Sequence, residues 1–209
     1  WIIPQKYVEN ENPIIPKYDL NSNEPFVSSK RTMKYVDIAL EEFFNEAKKY
    51  DWFDNTIFLI TADHGLNIFK DHINDPKNAH IPFLIYNSPI SPLNIDKIVS
   101  QIDILPTILD LIGEYDKYDE SLFGCSGLQG NKGFVFRNND YNIQWIEDGW
   151  VYSEIVGLDF IEAYPINLFN QKTENPFNIE YMQKKCRSYV QSAFYQQKDK
   201  LKEGKNLWK

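Results

Sequence analysis

The stretch that decides the fold is residues 56–65, which read TIFLITADHG. Residues 56–61 form a short run that is apolar on both faces and rich in β-branched side chains, a pattern typical of a buried parallel strand. Asp63 and His64 follow this strand directly, so they emerge at its carboxyl end. Ligands of open α/β sheets bind at that end. The stretch therefore predicts a strand that delivers two chemically active side chains to a binding edge.

A helix is predicted before this strand. Either Ser28 or Ser29 can cap it, and Lys48 and Lys49 near its end suit the negative pole of the helix dipole. Residues 1–27 contain four of the 11 prolines and predict an extended arm. Helical spacing of apolar residues supports the predicted helix, at Val36, Ala39, Leu40, Phe43 and Ala47.

The segments after the strand complete an α/β pattern. A mostly polar loop covers residues 63–78, and residues 81–86 predict a second buried parallel strand with Pro82 at its start or edge. Asp103 suits the N-cap of a following helix, and Gly113 suits the position just after its last turn. Helix, strand, loop, strand and helix in this order indicate a layered α/β sheet.

From Ser121 onward, short aromatic and β-branched runs alternate with turns, and Asp148-Gly149 is a strong hairpin signal. These runs predict an antiparallel meander, and residues 179–201 predict a closing helix. We therefore expect residues 1–120 to form the α/β part and residues 121–209 to form a small antiparallel sheet with a terminal helix packed on it. The inner side of that helix is predicted to hold Cys186, Tyr189, Val190 and Phe194. The aromatic residues of the meander favour a packed core, and a sugar-stacking platform stays open as the alternative.

Composition excludes some classes of protein. The 209 residues carry a formal net charge of -8, so the surface should repel nucleic acid, and we expect no nucleic acid partner. No apolar run approaches the roughly 18 residues that span a bilayer. The chain starts at Trp1 without a methionine, which we interpret as the interior of a longer protein. Cys125 and Cys186 match no zinc or redox motif, and either a disulfide or two thiols is compatible with them.

Three histidines and a lysine cluster around the decisive stretch. Asp63 and His64 form a ligand pair suited to Zn²⁺ or Mn²⁺, although a polar turn without a ligand stays open. Lys70 and His72 belong to the loop after this pair, where donor side chains would suit an anionic ester. His80 introduces the next strand, and it is predicted either to face substrate or to be structural.

Three segments in order resemble the sulfatase and alkaline phosphatase superfamily. Residues 55–65 resemble its second metal-binding segment, residues 80–86 resemble its next strand, and residues 100–113 resemble the following helix. Residues 35–40 also look like the preceding helix of the branch that contains lipoteichoic acid synthase and related phosphoglycerol transferases. The resemblance fades beyond about residue 165. It implies an alkaline phosphatase-like layered sheet with helices on both faces, of which this chain is a partial domain.

The resemblance also implies a function. One divalent metal would be bound by Asp63 and His64, with Mn²⁺ or Zn²⁺ favoured over Ca²⁺ by the Asp-His pair. The substrate would be an anionic ester, either a lipid headgroup or a sulfated or phosphorylated glycan, contacted by Lys70, His72 and His80. The leading expectation is a phosphoglycerol transferase-like enzyme that hydrolyses or transfers a phosphate or sulfate ester. The alternatives are a sulfate ester hydrolase acting on glycans and an inactive binding or structural module.

The sequence departs from the family in one respect. The family's nucleophile and remaining metal ligand belong to an upstream amino-terminal half, and the family's membrane-spanning amino terminus is not in the sequence. We therefore expect that half as a partner, no catalytic nucleophile here, and little activity from this chain alone. The whole protein is expected to be extracytoplasmic and membrane-anchored, and this fragment soluble.

Overall fold

The computed structural model describes residues 27–118, 123–130, 132–166 and 177–202. The predicted arm, residues 1–27, lies outside these ranges except for its last residue. The chain divides into two compact units, residues 1–58 and residues 59–209, and the predicted boundary at residue 120 stays a prediction. Of the helices in the described ranges, none has both the length and the apolar character needed to cross a membrane.

The first unit is built on helix α1 (Val27–Ala47) and a 3-10 turn at Phe53–Asn55. The ring of Phe58 lies 5.1 Å from that of Phe44 and 5.2 Å from that of Phe53, measured between centroids. The predicted helix is confirmed, and Ile38 and Ala47 on it are buried. Three of the apolar residues at helical spacing are 36–49% exposed: Val36, Leu40 and Phe43.

Strands β1 (Phe58–Thr61) and β2 (Phe83–Tyr86) form a two-stranded sheet. The pair is antiparallel, and Gly65 just after β1 packs against residues 78–80 just before β2. The prediction of two parallel strands is therefore wrong, because the 21-residue connection turns back at the same end of the sheet instead of crossing over. The predicted full burial is also wrong, since β1 is partly exposed and Leu84 of β2 is 55% exposed.

Helix α2 (Ile104–Leu111) follows a 3-10 turn at Gln101–Asp103. Asp103 precedes the helix as predicted, but its carboxylate makes no hydrogen bond to α2. It accepts instead from the N–H of Ser100 at 2.7 Å, in a capping box that closes the 3-10 turn. Gly113 has a φ of 74° just after the helix, which confirms its predicted role.

The predicted meander is confirmed as a four-stranded antiparallel sheet. Its strands are β3 (Phe134–Asn139), β4 (Asn142–Glu147), β5 (Trp150–Ile155) and β6 (Phe160–Pro165), in that spatial order. The hairpin between β4 and β5 turns at Asp148 and Gly149, whose φ angles of 50° and 79° are both left-handed. Such a pair is typical of the type I′ turn that suits the twist of two strands.

One face of this sheet, called here the helix face, packs against helix α3 (Ile179–Lys202). Trp145 and Tyr152 form its core together with Met182 and Cys186 of the helix, so the aromatic residues here are core residues. The inner side of α3 is confirmed at Cys186 and Tyr189. It is wrong at Val190 and Phe194, which are 38% and 59% exposed.

The opposite face of the sheet, called here the loop face, carries a second small core. Ile146, Val151, Tyr164 and Ile166 are buried there, and Ile98 packs against them. The two cysteines, both within the described ranges, form no disulfide: the side chain of Cys186 is buried among the core residues of α3, and Cys125 is exposed.

Candidate functional site

Asp63 and His64 lie where β1 meets its loop, as predicted. Their side chains are 89% and 79% exposed. Asp63 Oδ1 accepts a hydrogen bond from the N–H of His64 at 2.9 Å, and His64 Nδ1 lies 2.9 Å from the carbonyl oxygen of Gly65. A carbonyl can only accept, so this hydrogen bond places a ring proton on Nδ1 and leaves Nε2 as the nitrogen that a metal could bind.

The two side chains are arranged as a pair of ligands. His64 Nε2 lies 3.8 Å from Asp63 Oδ2. One ion can bridge that separation, because metal–nitrogen and metal–oxygen bonds are each about 2.0–2.2 Å long for Zn²⁺. In the described ranges no third histidine, cysteine or carboxylate joins them in a group that could hold a metal. The donor set therefore fits a transition metal but supplies only part of its coordination shell.

Gly65 brings the returning chain close to this pair. A Cβ atom at this position would lie 2.2 Å from the carbonyl oxygen of Asn78 and 3.1 Å from that of His80. Only glycine leaves room for that approach. The missing side chain of Gly65 thus permits a close backbone contact. The contact places His80 on the same side of the sheet as Asp63 and His64.

Gln101 holds the backbone of the candidate site from a different element. Its Nε2 donates to the carbonyl oxygen of Ala62 at 2.9 Å and to that of Asp63 at 3.3 Å. Sequence reasoning missed this residue, although it belongs to the 100–113 segment that carries the family resemblance. Asp103, two residues later, accepts from the N–H of Cys125 at 2.8 Å, and burial raises the pKa of its carboxyl group.

A large open cavity of about 1140 Å³ brings some of the predicted site residues together. Asp63, His64 and His80 all line it, next to Gln101 and Arg137. Burial lowers the pKa of the Arg137 guanidinium, which donates to neutral acceptors, the carbonyl oxygen of Asn74 at 3.0 Å and the side chain of Gln144 at 2.8 Å. The cavity thus combines the candidate ligand pair with a half-buried cation that sequence reasoning did not select.

Lys70 and His72 do not line this cavity. The ammonium group of Lys70 is exposed and donates to the side chain of Asn67 at 2.9 Å. His72 faces the loop face of the four-stranded sheet, where its Nδ1 lies 2.6 Å from Glu162 Oε1. Its ring stacks on Tyr164 with centroids 3.4 Å apart and planes 4° from parallel. A substrate-binding role for Lys70 and His72 stays a prediction that the arrangement of the cavity does not support.

Comparison with known proteins agrees with this architecture. The Sulfatase family model matches residues 5–114, more than half of the chain. Lipoteichoic acid synthase 2 of Bacillus subtilis is 31% identical over 123 residues, which cover 51% of this chain and 19% of that protein. The uncharacterized sulfatase YdeN of Escherichia coli is 25% identical over 188 residues, covering 82% of this chain and 33% of that protein.

A solved structure shares the fold. A Vibrio parahaemolyticus protein in the alkaline phosphatase superfamily superimposes with a TM-score of 0.65 at 23% identity, covering 96% of this chain and 47% of that chain. The structural likeness thus extends beyond residue 165, where the sequence resemblance fades. The chain spans less than half of the length of each of these three proteins.

Proposed function

Because the chain belongs to the sulfatase family, we propose that it is part of a metal-dependent enzyme that hydrolyses or transfers a phosphate- or sulfate-ester group. Its chemistry would be like that of the phosphoglycerol transferases. The observation that carries this proposal is the Asp63–His64 pair, whose Oδ2 and Nε2 atoms are 3.8 Å apart at the edge of the cavity. Sequence similarity to lipoteichoic acid synthase 2 of Bacillus subtilis favours the transferase branch.

Each residue of the pair has a distinct proposed role. Asp63 would supply an anionic oxygen and His64 a neutral nitrogen lone pair to one Mn²⁺ or Zn²⁺ ion, with Ca²⁺ as a less suitable alternative. A divalent metal held there would lower the pKa of a nucleophile and take up charge on the transferred group. His80 and Arg137 line the same cavity and would face the anionic ester. The Gln101 side chain would keep the ligand-bearing backbone in place.

We propose that an upstream, amino-terminal half of the same protein completes this site. The chain covers 47% of the related Vibrio structure. Apolar side chains around the cavity are unusually exposed, including Leu84 at 55% and Leu93 at 63%. Such apolar surface is typical of a face that another segment covers. The nucleophile and the remaining ligands would come from that half, so this chain alone would be inactive. The whole protein is proposed to be extracytoplasmic and membrane-anchored.

Metal binding tests the site directly. Titration of Mn²⁺ or Zn²⁺ into the 209-residue chain, followed by calorimetry, should show weak binding that Asp63→Ala and His64→Ala each reduce roughly tenfold or more. Asp116→Ala, which removes an exposed carboxylate on a separate turn, is the matched control and should leave the affinity unchanged. Equal affinity in all variants would reject the metal site and favour a binding or structural module.

An activity assay on the chain joined to its upstream half distinguishes a phosphoester transferase or hydrolase from a sulfate ester hydrolase. A sulfate ester hydrolase acting on glycans is the second candidate, because the E. coli relative carries the name sulfatase. Paired assays with an aryl phosphate and an aryl sulfate would show which ester is cleaved, and His64→Ala should abolish that turnover. An upstream threonine nucleophile favours phosphoester transfer, and a cysteine or serine in a sulfatase signature favours sulfate hydrolysis. Full turnover in His64→Ala would contradict both.

A further inference from the structure

Four polar residues form a continuous line across the four-stranded sheet. Arg137 pairs with Gln144, Gln144 with Ser153, and Ser153 with Glu162 in the strand register. We call these four residues the polar row. Gln144 and Ser153 are 1% and 0% exposed, and the side chain of Glu162 is 27% exposed. The polar row lies on the loop face, since its members alternate with the residues of the helix face along each strand.

The neighbouring line on the same face is apolar. Val135, Ile146, Val151 and Tyr164 are paired in the same way and form the small core of the loop face. Burying a polar side chain costs free energy unless hydrogen bonds replace those it made with water. A second apolar line would give this sheet a simpler core. The position of the polar row therefore needs another explanation, which its hydrogen-bond partners supply.

The polar row holds residues 72–74, the middle of the loop between β1 and β2. Arg137 donates to the carbonyl oxygen of Asn74 at 3.0 Å, and Gln144 lies 3.3 Å from the carbonyl oxygens of Ile73 and Asn74. Glu162 Oε1 lies 2.6 Å from His72 Nδ1. Just beside the polar row, Asn139 of β3 donates to the side chain of Asn74 at 2.8 Å. Side chains from three strands, β3, β4 and β6, thus contact three consecutive loop residues.

The same loop is internally braced on both sides of residues 72–74. Asn78 Oδ1 accepts from the N–H groups of Ile68 and Phe69, both at 2.8 Å, and its Nδ2 donates to the carbonyl oxygen of Phe69 at 2.8 Å. The backbone of Asn78 in turn packs directly against Gly65, the residue after His64. A loop of this length between two strands has ordinarily many conformations, and these contacts restrict them.

We propose that the polar row is a positioning platform: by holding residues 72–74 it fixes the loop that presents His64 and His80 to the cavity. Its members are positioning residues, and His72 acts here as the anchor of the loop. The catalytic consequence rests on the proposed metal-binding role of Asp63 and His64. The mechanical part, that the sheet orders the loop and the ring of His64, does not depend on that role.

Nuclear magnetic resonance of the 209-residue chain tests the proposal. His72→Phe keeps an aromatic ring against Tyr164 and removes the contact with Glu162. We expect roughly tenfold faster hydrogen exchange at the amides of Ile68 and Phe69, as for the loss of a charge-assisted hydrogen bond. The imidazole signal of His64 should shift or broaden in the same variant, which a purely local packing loss around Tyr164 would not produce.

Two further variants make the result specific. Glu162→Gln leaves an acceptor for His72 Nδ1 but removes the negative charge, so both signals should change less than in His72→Phe. Glu147→Gln is the matched control, because Glu147 contacts Lys185 at 3.1 Å on the helix face of the same sheet. It should leave the loop amides and the His64 signal as in the parent chain.

Three outcomes decide the matter. Unchanged loop exchange and an unchanged His64 signal in His72→Phe, with the amides of β4 and β5 still protected, would overturn the proposal. If His72→Phe unfolds the sheet, Glu162→Gln tests the proposal instead, and unchanged loop exchange together with an unchanged His64 signal in that variant would overturn it. If the chain joined to its upstream half shows no metal-dependent turnover, the proposed function fails, whereas the loop measurements still support or overturn the platform.

Discussion

Replacing Gly65 by alanine should open the loop that carries the candidate ligands. The added Cβ atom would lie 2.2 Å from the carbonyl oxygen of Asn78. Real Cβ atoms essentially never approach another heavy atom more closely than 3.0 Å. The two backbone segments must therefore separate by about 0.8 Å at this point. Neither side can relieve the contact by rotating a side chain, because the clashing atoms of Asn78 and His80 belong to the backbone.

The cost follows from this geometry. Overpacking in a well-packed region typically costs about 1–3 kcal/mol, and we expect the upper part of that range because backbone atoms must move. The displacement also strains the three hydrogen bonds by which the Asn78 side chain braces Ile68 and Phe69. Hydrogen exchange of the loop amides should accelerate by one to two orders of magnitude, since about 1.4 kcal/mol corresponds to a factor of ten.

Exchange measured residue by residue is the appropriate assay, because it separates local opening of the loop from unfolding of the four-stranded sheet. Gly157→Asn is the matched control: Gly157 has a φ of 87° with nothing within 4 Å of an added Cβ atom, and asparagine tolerates the left-handed region. The control should leave loop exchange unchanged. Loop amides of Gly65→Ala that exchange as slowly as in the parent chain would refute the claim that close backbone approach organises this site.

Two further predictions concern the helix face. The Arg187 guanidinium donates hydrogen bonds of 3.0 and 2.6 Å to the Glu154 carboxylate and holds the pKa of that carboxyl below its ordinary value. The pair should therefore stabilise the fold fully above about pH 4.3, the pKa of an unperturbed glutamate. This stabilisation should be lost as the pH falls through the lower pKa of the folded state. Arg187→Met should lower the free energy of unfolding at pH 7 by about 1–2 kcal/mol, a figure discounted because the arginine side chain is 57% exposed. Urea melts at a series of pH values should also show a smaller loss of stability at acid pH than in the parent chain. An unaltered loss of stability at acid pH would contradict this prediction. Burial raises the pKa of the Cys186 thiol to about 12, so at pH 8 a thiol reagent should label only Cys125 in the folded chain and both cysteines in urea. Rapid labelling of Cys186 without denaturant would show that the contact between α3 and the sheet opens readily.

Local sequence signals predicted the meander and the position of Asp63 and His64 just after a strand. The Asp148-Gly149 turn and the alternation around it are properties of adjacent residues, and the strand-to-loop position of Asp63 and His64 follows from a single run of ten residues. The direction of β2 could not be predicted in the same way. It depends on whether a 21-residue connection crosses the sheet or returns. The returning chain meets Gly65 through residues thirteen and fifteen positions later, a contact that the local sequence does not reveal.

The polar row was missed for a different reason. A single Gln144 or Ser153 in a strand looks like a residue that faces solvent, so the run of residues along one strand does not show that both are buried. The information was nevertheless present, because a two-residue hairpin at 148–149 fixes the pairing of residue 147 with residue 150 and hence of Gln144 with Ser153. Reading the register across all four strands, instead of along each one, would have predicted a line of polar side chains on the same face as the apolar core.

The incomplete ligand set and the braced loop have one physical explanation in common. Two exposed ligands bind a metal weakly, because two protein donors leave much of its coordination shell to solvent. The affinity of the completed site then depends on how much conformational freedom its side chains lose when the metal binds. Side chains that are already held in place lose less freedom and so bind more tightly. Gln101 and Gly65 contact the backbone around Asp63 and His64 directly, and the polar row is proposed to restrain it through residues 72–74. If the proposed function holds, the chain would be a preorganised half of a metal site, which its proposed upstream partner would complete without rearranging it.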